Sequence, residues 1–126
     1  MGPFALIMLL VTGLAGTMVL VEWYDDERRR APNGTMAVVV THATLALISL
    51  VVMAVFLTTR RTTLGSATVV VLLATAAFGV TAFLRSRRGQ PNRGRAGDVG
   101  RGFLLFHGAA ATLTIVVALV AVLASR

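Results

Sequence analysis

Two residues in this chain have the chemistry to hold something. His42 and His107 are the only ionisable side chains inside four long apolar segments, and an ionisable residue inside a membrane span is costly enough to suggest a function. Imidazole ligates metals, and as a neutral ring it also bonds between helices. No cysteine is present, so disulfides, thiolate metal sites, cysteine nucleophiles and covalent c-type haem are excluded. No acidic residue lies at the depth of the histidines, which leaves bare zinc or copper short of ligands. Met18 and Met36 are nearby soft groups of a kind that usually packs. Every acidic residue falls in a connection, so no Ser-His-Asp set can assemble and hydrolytic or nucleophilic catalysis finds no support. Whether the chain is an enzyme stays open, since redox activity would require a bound haem.

The elements that must position the histidines follow from composition. Of 126 residues 56% are hydrophobic and 13% charged, with a mean hydropathy of +0.83. Four segments lack acids and bases: about 3–21, 36–58, 64–84 and 102–125. Each exceeds the roughly 18 apolar residues that mark a transmembrane helix. The expectation is one all-α, integral membrane, four-helix up-down bundle spanning 1–126. The first segment has no basic flank and no small-x-small cleavage pattern, so it is expected to remain as a helix.

All twelve basic residues are arginine, and the formal net charge is +7. With abundant Ala, Gly and Val, this bias suggests a GC-rich bacterial genome. Arg28, Arg29 and Arg30 lie in one connection, and Arg85, Arg87, Arg88, Arg93, Arg95 and Arg101 in another. Arg60, Arg61 and Arg126 lie on the opposite side. The positive-inside rule then puts both arginine-rich connections in the cytoplasm and both termini outside a bacterial cytoplasmic membrane. The arginines thus serve topology and lipid headgroups, and nucleic acid is not expected as a partner. Trp23 and Tyr24 are expected at headgroup level. Residues 85–101, rich in Gly and Arg, are expected to form a mobile cytoplasmic loop.

Under this topology His42, six residues after Met36, and His107, five after Gly102, lie roughly 8–9 Å inside the same boundary. Spans two and four form one diagonal of an up-down bundle, on the order of 12–14 Å across. That is too far for a direct hydrogen bond and leaves room for a metal carried by a flat macrocycle. On the other diagonal Gly16 and Gly79 sit at the same depth, where glycine permits close approach. Thr12 and Thr75, one turn away, keep that face small. His42, Ala46 and Ser49 are echoed by His107, Ala111 and Thr114 on one helical stripe. The alanines leave room beside the imidazoles; the hydroxyls either satisfy a buried polar group or bond their own helix. With Leu9–Thr12 and Gly16 resembling Leu72–Thr75 and Gly79, the chain reads as a duplicated helical hairpin.

On His42 and His107 as candidate axial ligands and Gly16 and Gly79 as clearance positions, the chain resembles the four-helix membrane b-type cytochromes, in the style of the cytochrome b561-like proteins. The resemblance covers the bundle as a whole. It implies haem b between spans two and four and electron exchange with a quinone or a redox protein. Many such bundles carry four ligating histidines; with two, at most one bis-histidine haem fits. Arg85 and Arg101, at the edge of the cavity, are then candidates for the propionates. Two other readings stand beside this one. The histidines would be packing residues of a non-catalytic accessory or assembly subunit, forming a homo-oligomer or larger complex through Gly13 with Thr17 and Gly108 with Thr112. A small oligomeric transporter is the third, and it lacks the acidic residue within a helix that proton coupling would need.

Overall fold

The computed structural model describes residues 2–26, 33–88 and 98–124. Four helices account for nearly all of them: α1 (Gly2–Asp26), α2 (Thr35–Thr59), α3 (Thr62–Arg88) and α4 (Asp98–Leu123). Each contains a stretch of 20 to 25 residues long and apolar enough to cross a membrane. At 1.5 Å per residue a 25-residue helix such as α2 is about 37 Å long, more than a hydrocarbon core of about 30 Å. This is an all-α bundle of a multi-pass membrane protein.

The helices overrun the boundaries expected from apolarity. α1 continues through Trp23 and Tyr24 to Asp26, α3 continues through Arg85 to Arg88, and α4 begins at Asp98. The segment expected as a mobile loop over 85–101 is therefore helical at both ends, with 89–97 outside the described residues. Charge ends a membrane span but not a helix, because arginine is a good helix former and its backbone bonds stay within the helix. The link between α2 and α3 shrinks to Arg60 and Arg61. Arg60 adopts φ 55° and donates its N–H to the Phe56 carbonyl, so a left-handed residue ends α2 and turns the chain.

The short link makes α2 and α3 antiparallel neighbours, and they pack tightly; α1 and α4 form the other tight pair. Contacts of α1 with α2 and of α3 with α4 are sparser, and among the described residues no close backbone approach occurs on either diagonal. The two proposed hairpins are thus interleaved. Each helix of one hairpin packs chiefly against a helix of the other.

The side chains suit a lipid surround. Leu14, Leu47, Val70 and Leu105 are all more than 60% exposed, so the apolar surface faces outward as well as inward. Exposed hydroxyls of Thr17, Thr44, Thr81 and Thr112 each donate to the carbonyl four residues back, so these four need no partner from lipid. The core gathers at the end opposite the histidines, where Ala5, Leu9, Met53, Phe56, Ala118 and Val122 interlock. Gly65 lets α3 close onto it: a Cβ there would stand 3.0 Å from both Phe56 and Val122. Trp23, expected at headgroup level, turns into the bundle with 8% exposure, while Tyr24 remains exposed.

Candidate functional site

His42 and His107 approach one another across the diagonal between α2 and α4. Their ring centroids are 6.1 Å apart and their planes stand at 89°. Both rings are half-buried. The two tight helix pairs set this arrangement, and the same contact is made on each side.

On one side the Nδ1–H of His107 donates to the backbone carbonyl of Thr12 at 3.1 Å. On the other, the Nδ1–H of His42 donates to the carbonyl of Thr75 at 2.8 Å. A carbonyl oxygen can only accept, so both contacts require the proton on Nδ1. The Nε2 lone pair of each ring is then free to accept or to ligate. No hydrogen bond to either Nε2 occurs among the described residues.

The glycines explain how these carbonyls become available. Thr12 and Thr75 are each four residues before a glycine, Gly16 and Gly79, so their oxygens already accept the glycine N–H within the helix. A carbonyl oxygen has a second lone pair, but a side chain at the glycine position would cover it. A Cβ on Gly16 would stand 2.8 Å from Cε1 of His107, and one on Gly79 would stand 2.9 Å from Cε1 of His42. The space expected at these glycines for a macrocycle is taken by the edge of an imidazole. Gly16, Thr12 and His107 form one unit; Gly79, Thr75 and His42 form its counterpart.

The hydroxyl layer one turn deeper is less symmetric. Thr12 and Thr114 are buried, and their hydroxyl oxygens are 2.9 Å apart, bridging α1 and α4. Each oxygen also lies 2.8 Å from its own helix carbonyl, Met8 for Thr12 and Ala110 for Thr114. Two hydrogens serve these three contacts, so one hydroxyl donates across the interface while the other donates to its helix. In the counterpart, Ser49 and Thr75 donate only to Leu45 and Val71 of their own helices. The stripe expected from sequence is present, and Ala46 and Ala111 on it are half-buried.

The geometry offers two inward imidazoles, each fixed through Nδ1 and free at Nε2. A carbonyl accepting from the second ring nitrogen is the usual outer partner of a ligating histidine. Among the described residues no third His, Cys, Asp or Glu joins them. The donor set therefore suits a metal whose remaining ligands come with it. Arg85 lies at the same end of the bundle, near Gly34 at the start of α2; the Arg101 side chain lies outside the described residues.

The four key positions share one depth in the sequence, but what joins them is visible only in the fold. The backbone acceptors at Thr12 and Thr75 carry no signal of their own; a glycine four residues later does, at a depth matching a histidine on another helix. No family model matches this chain, nor does any curated protein or solved structure.

Proposed function

We propose that this chain is a small membrane protein of the b-type cytochrome kind, binding one haem between α2 and α4 and serving electron transfer or haem-linked redox chemistry. The observation that carries this reading is the paired fixing of His42 and His107. Both donate Nδ1–H to a carbonyl on the neighbouring helix and keep Nε2 unengaged, with 6.1 Å between their centroids. His42 and His107 would hold its iron. The haem, when bound, supplies a one-electron carrier.

The rest of the chemistry belongs to the chain. Thr12 and Thr75 fix the ring orientation and raise imidazole basicity through their carbonyls. Half-buried Ala46 and Ala111 keep bulk away from the rings. The apolar surround lowers the local dielectric, one of the levers on a haem potential. Electron partners of matching chemistry are a membrane quinone or a redox protein meeting the arginine-rich end. The arginine distribution supports a bacterial cytoplasmic membrane with both termini outside.

Visible absorption of the protein purified from haem-replete cells tests this. A Soret band with sharp α and β bands on reduction is expected, and His42→Ala or His107→Ala should abolish the low-spin spectrum. Colourless protein that also fails to take up added haem would sink the reading.

A second reading draws on a different surface. Gly13 and Gly108 have no heavy atom within 4 Å of a would-be Cβ, and Thr17 and Thr112, four residues on, are exposed. Such small pairs allow close helix approach in membranes and suit an accessory subunit of a larger complex. Co-purification in mild detergent with a stoichiometric partner, from colourless protein, would favour it.

A further inference from the structure

The start of α2 holds hydrogen-bonding capacity that nothing meets among the described residues. Thr35 is the first residue of the helix, is 0% exposed, and has no partner for its Oγ1. The other buried hydroxyls, on Thr12, Ser49, Thr68, Thr75 and Thr114, each reach the carbonyl four residues earlier in their own helix. Thr35 has no such helical carbonyl, because the helix begins with it. A buried polar group without a partner costs on the order of 1–3 kcal/mol, and native structures rarely leave one.

The amides beside it are open as well. The first bond of the helix runs from the Val38 N–H to the Gly34 carbonyl, so the N–H groups of Thr35, Met36 and Ala37 have no helical acceptor. Gly34, at φ 82°, supplies no side-chain cap, and the first turn contains no acid. Arg85 reaches this point from the far end of α3. Its Nη1 stands 3.3 Å from where a Cβ on Gly34 would be. The guanidinium is exposed and makes no hydrogen bond or ion pair among the described residues.

The amides, the hydroxyl and the guanidinium all offer donors at the positive end of a 25-residue helix. An oxyanion bound at this end of the helix would accept from such donors. We propose that Thr35, the α2 N-terminus and Arg85 form a binding site for one carboxylate or phosphate group of a membrane amphiphile. Two sources carry that chemistry here: the phosphodiester of an anionic phospholipid and a propionate of a bound haem. The second source rests on the haem reading. Thr35 is seven residues before His42 on the same helical stripe, about 10 Å along the axis.

The test uses the full chain and the variants Thr35→Val, Thr35→Ser and Arg85→Gln in zwitterionic detergent. In one arm, phosphatidylglycerol retained after exchange from phosphatidylcholine–phosphatidylglycerol vesicles is measured by lipid mass spectrometry. In the other, ferric protoporphyrin IX is titrated against its dimethyl ester, which lacks the propionate charges. A phosphate source predicts a phosphatidylglycerol preference that falls about tenfold in Thr35→Val and Arg85→Gln and persists in Thr35→Ser. A propionate source predicts that the free acid binds about tenfold tighter than the ester, with the gap closing in the same two variants. If neither form of haem binds, the haem reading fails and the lipid arm alone decides the site. No lipid preference together with no acid–ester gap overturns the site, as does any preference that both Thr35→Val and Arg85→Gln retain.

Discussion

The Nδ1 of His107 donates to the carbonyl of Thr12 at 3.1 Å, and the Cβ that Gly16 lacks would stand 2.8 Å from the same ring. The glycine is therefore part of the hydrogen bond, since it uncovers the acceptor. Gly16→Ala should cost about 1–3 kcal/mol, because the imidazole must leave its place. In His107→Ala the same change should cost far less. A double-mutant cycle on detergent unfolding should show a coupling of about 1 kcal/mol or more. Additive losses would mean that Gly16 acts through something other than the ring.

Both histidines should hold the proton on Nδ1 when no ligand is bound. Nitrogen NMR of protein labelled at its two histidines reads this directly. The expected result is one tautomer for both rings, lost at His42 or His107 only when its ring moves off the carbonyl. A dominant Nε2–H form would contradict the contacts to Thr12 and Thr75.

The hydroxyl bridge between Thr12 and Thr114 has no equivalent between Thr75 and Ser49. Thr114→Val should therefore destabilise the bundle by about 0.6–1.7 kcal/mol, the range for interhelical bonds in membranes. Ser49→Ala should cost less, because only a bond within its own helix is lost. Equal losses would remove any special weight from the bridge.

Gly65 should tolerate nothing larger. An added methyl would meet the Phe56 ring and Val122 at 3.0 Å, and both residues are buried. Gly65→Ala is expected to cost about 1–3 kcal/mol from overpacking. Phe56→Ala is expected to cost about 3–5 kcal/mol from the cavity it leaves. Retained melting temperatures would show that this end of the bundle is looser than drawn.

Orientation can be read from single cysteines, since the chain has none. Asn33 lies at the arginine-rich end and Arg61 in the opposite turn, and both are exposed. In intact cells an impermeant maleimide should label Arg61→Cys and spare Asn33→Cys. The reverse pattern would invert the topology drawn from the arginines.

The sequence by itself determined the number of helices, their approximate spans and the equal depth of His42, His107, Gly16 and Gly79. Apolar length and the 1.5 Å rise set those features, and both are local. The apolar spans stop before Glu22 and Arg85 while the helices run on to Asp26 and Arg88, because hydropathy reports where lipid ends and not where backbone hydrogen bonds end. The partnering was decided only in three dimensions. Each histidine docks on the other hairpin, His42 on Thr75 and His107 on Thr12, because the short Arg60–Arg61 link forces α2 against α3 and leaves α1 to α4. Backbone acceptors and the open start of α2 at Thr35 have no side-chain signature in a sequence. They become visible only when a glycine, a missing cap or a neighbouring helix uncovers them.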